Sequence, residues 1–440
     1  MNVLYLSYDG MLEPLGQSQV VNYLTGLAAH HAITLMSYEK RSDMGDRARM
    51  GRMAAHLESR GIRWVPLRYH KRPSLLATAW DVLIGIGRGW AICRWDSIGL
   101  LHARGYVAGV IALCLARLCK VRFVFDMRGF WPEEKIDAGH WTRNDLAYRL
   151  AKWWEQRLLE QAGGLVVLTQ TAVQVLRASK ESLARPERVE VIPTCVDLSH
   201  FHPGPKDPVL LDRLGLRNRV VIGCVGTLSN WYLREATLRY LGRLVKYLND
   251  ARILFVTREE PRRLQYAAVS AGIPEDRLVL LHAEFRQMPA YFRLMDVGVY
   301  FIRATFSKRA SAPTRLGEFL ATGVPVVIND GIGDSGALVR DHRIGIVLSD
   351  MTEASCQASL AGLEELLADQ DCARRCRLAA EQHLSLAMGI QRYLRLYQRL
   401  EVGSPLTSPH SSAGEPAPAG THDTSVAPAV ALMPAGAREP

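Results

Sequence analysis

Along the first 400 residues, short apolar runs alternate with amphipathic stretches at a regular interval. Asn2–Ser7 reads as a buried strand, followed by a loop, Tyr8–Gln17, that holds Asp9, Gly10, Glu13, Pro14 and Gly16. Val21, Leu24 and Leu27 then recur at helical spacing, which predicts a helix from about Ser18 to Ala29. His31–Tyr38 is a second strand, Arg47–Arg60 a helix with a polar face, and Ile62–Leu67 a third strand. This β-α-β-α-β succession is the pattern of a doubly wound parallel sheet. Strands are expected at Ile98–His102, Val121–Phe125, Gly164–Leu168 and Val189–Pro193, with helices at Asn144–Glu160 and Gln170–Lys180. The run Pro193–Pro205 reads as an extended exit. A second alternation follows, with strands at Val220–Val225, Ile253–Thr257, Leu278–Leu281, Val297–Phe301, Val324–Ile328 and Ile344–Leu348. The fold class is therefore α/β, two parallel-sheet domains facing across a cleft, with boundaries at 1–200 and 201–384. A helix at 385–400 follows, and a tail at 401–440, rich in proline and alanine, is expected to stay unfolded.

Composition narrows the chemistry. The net charge is +10, and the tail carries four acidic residues against one arginine, so the body is more basic still. A basic body implies anionic partners: a nucleotide, an anionic membrane surface or nucleic acid. No zinc finger, helix-turn-helix or aromatic–basic platform is present, which disfavours nucleic acid. The eight cysteines form no CxxC pair, so neither structural zinc nor a disulfide framework is expected, and the usage is that of a reducing compartment. The first ten residues lack a basic segment, and Asp9 interrupts their apolar run, so they read as a strand and not as a secretion signal. No apolar run approaches the roughly 18 residues of a membrane span. The nearest, Gly109–Cys119, is short and broken by Arg117.

The stretch Ser307–Asn329 concentrates the candidate chemistry. Lys308, Arg309 and Ser311 lie in a small, basic loop, and Pro313 opens a helix where its missing N–H costs nothing. Leu316, Phe319 and Leu320 share one face, and Gly323 ends the helix before a buried strand. Free N–H groups at the helix start, with Lys308, Arg309 and Arg315 adding charge, make an anion site. Glu318 lies about 7–8 Å further along the axis at 1.5 Å per residue, which suits a hydroxylated ring beyond a phosphate. A capped helix before a strand also occurs in any α/β protein. In the first domain, polar residues cluster at strand ends: His102 with Arg104, then Asp126 and Arg128 before Gly129 and an aromatic pair. His102 reads either as a site residue or as a helix cap. Gly10 and Gly16 are six apart and no GxGxxG occurs, which disfavours a nicotinamide enzyme. Over Tyr69–Trp95 and the Arg68 before it, Arg68, His70, Lys71, Arg72 and Arg88 mix with Leu75, Leu76, Trp80, Leu83 and Trp90. That is either an amphipathic helix resting on an anionic membrane or a surface helix packed on the sheet.

Four segments taken together resemble bacterial family 4 glycosyltransferases with the GT-B fold of two Rossmann-like domains, of the kind that builds surface polysaccharide. They are Asp9–Val20, Asp126–Glu134, Val191–Asp197 and Ser311–Val326. The closing Tyr393–Tyr397 is similar to the family's last helix, which returns to brace the first domain. The resemblance implies retaining transfer of a hexose-type sugar from a nucleotide-diphosphate donor, UDP or GDP, to a hydroxyl of a lipid-linked saccharide. It implies no cofactor or metal, and a cytoplasmic protein peripheral to the inner face of the plasma membrane. By it Glu318 would hold the donor ribose, Thr314 and nearby N–H groups the diphosphate, and Gly16 would let the first-domain loop approach. Asp126 and Arg128 would touch acceptor or sugar, with His102 third. Two departures stand out. The glutamate that the family often places eight residues before the ribose-binding one is Ala310, with Ser311, Lys308 or Arg309 as substitutes. The Arg and Lys expected early in the second domain are absent from Gly226–Tyr232, leaving Arg258 and Arg315 to supply charge. The alternatives are a catalytically silent nucleotide-sugar-binding protein and a nucleotide-sugar epimerase on the same fold.

Overall fold

The computed structural model describes residues 1–402 apart from 71, 73 and 179–185. The expected tail, the end of the helix begun at Gln170, and Lys71 lie outside the described residues. All thirteen expected strands are present, with ends shifted by up to two residues. The first sheet holds β1 (Asn2–Ser7), β2 (Ala32–Glu39), β3 (Ile62–Arg68), β4 (Leu100–Arg104), β5 (Arg122–Asp126), β6 (Gly164–Val167) and β7 (Val189–Val191). The second holds β8 (Val221–Val225), β9 (Arg252–Val256), β10 (Leu278–Leu281), β11 (Val297–Val299), β12 (Val326–Asn329) and β13 (Gly345–Leu348). The orders are β3-β2-β1-β4-β5-β6-β7 and β10-β9-β8-β11-β12-β13, and every pairing within them is parallel. Strand order reverses at β1/β4 and at β8/β11, and open sheets bind ligands beyond the carboxyl ends of such strands.

Helices cover both faces of each sheet, which is why the strands read as unbroken apolar runs. Pro325 has no N–H for the ladder, so β12 starts at Val326, while the Pro325 carbonyl accepts from Gly298. The first helix starts at Pro14, earlier than expected, and reaches Ala28 through a π-turn over Gln17–Val21. Proline suits a first helical turn, so the loop after β1 is shorter than its composition indicates.

One expectation is corrected. Leu75–Trp95, within the helix Ser74–Trp95, is long and apolar enough to cross a membrane, with a mean hydropathy of 1.3. Asp81 and Arg88 break its run in sequence and hide it there. Here Val82, Ile84, Ile86 and Ile92 pack into the first domain's core, while Leu76, Trp80, Leu83 and Trp90 form an exposed stripe at helical spacing. The chain leaves the first domain through Pro193–Phe201 and returns at Ser385, which bridges to Val196. The helix Leu386–Val402 then buries Tyr393, Leu396 and Tyr397 among Val3, Tyr5, Val20 and Val124 of the first domain.

Candidate functional site

Parallel register places Ser7 beside Arg104 and Arg104 beside Asp126, in a row at the carboxyl edge of the first sheet. β4 runs two residues past the expected end, so His102 lies inside the strand and caps no helix. Its ring is fully buried against Tyr5, and its Nδ1 bonds the Tyr397 hydroxyl. With Tyr397 donating, the Nε2–H faces Asp126 Oδ2 at 3.7 Å. Burial keeps the His102 pKa low, against the pull of Asp126. Asp126 accepts from the Tyr393 hydroxyl at 2.8 Å, and Arg104 and Arg128 lie at 3.8 and 3.7 Å. Burial alone would raise the Asp126 pKa, but Arg128, His102 and Arg104 hold it down to about 2. Arg128 adopts a left-handed backbone at φ 60°, and its Nη1 is buried without a hydrogen-bond partner. Such a conformation is rare away from glycine and recurs at functional sites. Gly16 lies beneath this edge in the helical turn Pro14–Gly16, where a Cβ would strike the Gly10 carbonyl and Met11. It packs its own loop tightly.

On the facing edge, Pro313 caps the helix Thr314–Ala321 and Gly323 leaves it at φ 79°. The Arg315 guanidinium stacks on Tyr232 at 3.9 Å from the ring centre, with Tyr300 at 5.7 Å. It reaches back over Gly226, at φ 82°, where any side chain would strike it. Arg315 Nη1 is buried without a partner. The second-domain loop that lacks its own cation thus receives one from across the helix. Among the described residues, nothing hydrogen-bonds the half-buried Glu318 carboxylate. Burial, opposed by Arg315, pushes its pKa up to about 7.

The remaining basic candidates are placed differently. Lys308 is nearly buried, paired at 2.7 Å with Glu134 of the first domain and seated 3.7 Å over the Trp231 ring. Its charge ties the two domains together. Ser311 bonds the Lys308 carbonyl through its N–H. Ala310 is buried within the first domain's core cluster, near Phe130, so a carboxylate at that position would be stranded there. Asp334 accepts from the N–H groups of Gln170 and Thr171 and from the Thr171 hydroxyl, capping a first-domain helix from the second domain. Arg258 is exposed, on a cleft of about 500 Å³ that also includes Thr257, Leu280 and His282 at the ends of β9 and β10. Among the described residues no group of three or more His, Cys, Asp or Glu could hold a metal ion.

Sequence reasoning missed Tyr232, Trp231 and Asp334, and took Glu134 only as part of the segment Asp126–Glu134. The aromatic pair Trp231–Tyr232 was noticed only for the cations it lacks. Glu259, which bonds the Leu228 N–H and Arg234 and so holds this loop, gave no signal.

Residues 16–195 match the family model described as a glycosyl transferase 4-like domain. Those residues carry that domain, and the two parallel-sheet domains have the GT-B fold. A glycosyltransferase from Rickettsia africae superposes with a TM-score of 0.68 at 11% identity, covering 92% of this chain and 99% of that one. Anabaena HepE, solved in complex with UDP, gives 0.65 at 15%, covering 90% and 100%. WaaG, a glycosyltransferase of lipopolysaccharide biosynthesis, gives 0.61 at 13%, covering 88% and 98%. No curated protein sequence matches the chain. The matched domain contains His102, Arg104, Asp126 and Arg128, while Arg315 and Glu318 lie in the second domain.

Proposed function

We propose that this protein is a glycosyltransferase that moves a hexose-type sugar from a nucleoside-diphosphate donor to a hydroxyl of a lipid-linked saccharide, with retention. The observation that carries the reading is the pairing of Arg315 and Glu318 on one helix. A guanidinium whose buried Nη1 has no hydrogen-bond partner stands beside free helix N–H groups, and an unengaged carboxylate lies one turn on. The first two suit a diphosphate. The third suits the vicinal hydroxyls of a ribose. The cleft at Thr257, Arg258 and His282 adjoins β8, one strand spacing of about 4.8 Å away, and suits the base. UDP and UDP-glucose, bound in Anabaena HepE, are the leading probes.

In the transfer, the bond from the anomeric carbon to the diphosphate oxygen breaks. The acceptor oxygen bonds the same face, and its proton passes to the departing phosphate. Negative charge grows on the diphosphate, where Arg315 and the helix N–H groups are already fixed. The ties through Lys308, Asp137 to the Ser307 N–H, and Asp334 close the domains and exclude water. No protein nucleophile is required. The exposed stripe Leu76, Trp80, Leu83 and Trp90, with Arg72, Arg88 and Arg94 beside it, rests on the anionic inner leaflet.

Titration calorimetry of UDP and GDP, with ADP as control, tests the donor site in the wild type and in Glu318→Ala. Micromolar binding of one nucleotide, weakened by about 1–3 kcal/mol in the variant, is expected. Absence of binding by all three removes the transferase reading. Flotation with anionic liposomes tests the membrane contact, and no co-flotation at low salt refutes it.

A further inference from the structure

A second polar cluster lies at the carboxyl edge of the first sheet, away from Asp126. Asp81, fully buried on the helix Ser74–Trp95, accepts three hydrogen bonds. They come from the Tyr8 hydroxyl at 2.8 Å, the His70 N–H at 3.1 Å and His70 Nδ1 at 2.6 Å. Its own carbonyl accepts from the Tyr38 hydroxyl at 2.6 Å. Burial and the Asp81 bond raise the Tyr8 pKa, so that hydroxyl keeps its proton and donates. An ionised carboxylate only accepts, so His70 Nδ1 must carry its hydrogen. Nε2 is then the nitrogen left to meet a ligand. It has no partner among the described residues, and the side chain is partly exposed. A buried carboxylate holding an imidazole in one tautomer is a device for orienting the other nitrogen toward a ligand. Tyr69 stands beside it with its ring edge-to-face on Tyr8 at 5.4 Å.

We infer that Tyr8, Tyr69 and the His70–Asp81 pair form a saccharide subsite for the acceptor, remote from the bond being made. The inference rests on the reading of the chain as a transferase to a saccharide hydroxyl. Tyr8 follows β1 directly, and Tyr69 and His70 follow β3. These are ends of the same sheet edge whose β5 and β6 ends meet the second domain through Phe130 and Thr171. β3 is three places from β4 and four from β5, about 14–19 Å at the usual strand spacing. That offset separates His70 from the Arg104–Asp126 row and makes it a holder of a sugar unit further along the acceptor. Half-exposed tyrosines give an apolar surface for the C–H face of a sugar ring, and Nε2 accepts from one of its hydroxyls. The cluster also adjoins the start of the exposed apolar helix face at Leu75 and Leu76, where a lipid-linked chain would arrive.

The test uses full-length protein with UDP present and soluble trisaccharides of glucose, galactose, mannose and N-acetylglucosamine. These lack an alkyl chain that the Trp80 face would capture. Saturation-transfer NMR measures trisaccharide binding to the wild type, His70→Ala, His70→Gln and Tyr69→Ala, with UDP affinity measured on the same samples. At least one trisaccharide binds the wild type. His70→Ala weakens it about five- to tenfold, as for one lost hydrogen bond. His70→Gln restores most of the loss through its amide oxygen, and Tyr69→Ala weakens binding as well. UDP affinity stays within about twofold throughout, since His70 touches no donor group. No trisaccharide bound by the wild type, or equal affinity in His70→Ala, overturns the subsite. Failure of UDP to bind the wild type strikes the donor reading instead.

Discussion

Two clusters face each other in this protein with the same kinds of residue, and they are wired in opposite ways. In the first domain, Asp126 is surrounded by Arg104, Arg128, His102 and Tyr393, and its pKa is held down to about 2. In the second domain, Glu318 has one cation nearby and no hydrogen-bond partner among the described residues, and its pKa is pushed up to about 7. The first carboxylate is ionised and engaged within the protein. The second is half-buried and unengaged, which is the state expected of a group awaiting a ligand. Carboxylates at strand or helix ends look alike in sequence. What separates bracing from binding is whether neighbouring elements satisfy them.

The contrast is most easily broken at Asp126. Asp126→Ala leaves Arg128 buried without its counter-charge and Arg104 with only the partly exposed Asp9 at 3.5 Å, and is expected to destabilise the fold by about 3–5 kcal/mol in denaturant melts. Glu318→Ala removes a carboxylate whose burial is already unfavourable, so its effect on stability should stay below about 1 kcal/mol. Equal losses in the two variants would erase the distinction between brace and binding group.

Arg315 sharpens the donor side. Arg315→Ala should weaken UDP by about 2–3 kcal/mol, the range for hydrogen bonds to a charged group, and UMP by much less. Calorimetry with both nucleotides separates the two. An equal loss for UMP and UDP would place Arg315 away from the distal phosphate. Arg315→Lys should recover only part, since an ammonium cannot reproduce the planar stack on Tyr232.

The fold was legible because both sheets are parallel and covered on each face, so each strand is a compact apolar run between turn signals. The donor helix was legible because Pro313, Gly323 and the apolar face of Leu316, Phe319 and Leu320 are local features. The state of the first-domain residues was not. His102 depends on Tyr397, and Asp126 on Tyr393, more than 260 residues away in the chain. Lys308 read as a free phosphate ligand because Glu134 lies in the other domain. The membrane-length helix was obscured by Asp81, whose charge is satisfied by Tyr8 and His70 from separate loops.

The protonation of Glu318 gives a smaller and signed effect. A carboxylate accepts from ribose hydroxyls only when ionised, so nucleotide binding should release its proton. Wild-type affinity should therefore rise from about pH 5.5 to about pH 7, by up to about tenfold per unit, and then level. Phosphate titration is common to both proteins, so the difference from Glu318→Gln isolates the carboxyl, and that difference should grow with pH from about pH 5.5 and become constant above about pH 8. For folding without nucleotide the sign is opposite. The folded pKa lies above the ordinary 4.5, so this group's contribution to stability falls as pH rises from 4.5 to about 7. A wild-type affinity that follows the Glu318→Gln curve at every pH would remove Glu318 from the ribose site.

The smallest change tests the brace from its far end. Tyr397→Phe deletes one hydroxyl from the returning helix and leaves His102 Nδ1 without its hydrogen bond, at an expected cost of about 1 kcal/mol. The ring stays in place against Tyr5, and Asp126 keeps Tyr393 and both arginines. If His102 is only part of the brace, sugar transfer and donor hydrolysis in Tyr397→Phe should stay within about twofold of wild type while the midpoint of denaturation falls. If His102 takes part in the chemistry, freeing its ring would change turnover by more than the loss of folded protein accounts for. Burial already lowers the His102 pKa, so its contribution to stability is lost as pH falls through the ordinary histidine range. The variant should carry that acid sensitivity nearly unchanged, because the buried ring rather than the hydroxyl produces it.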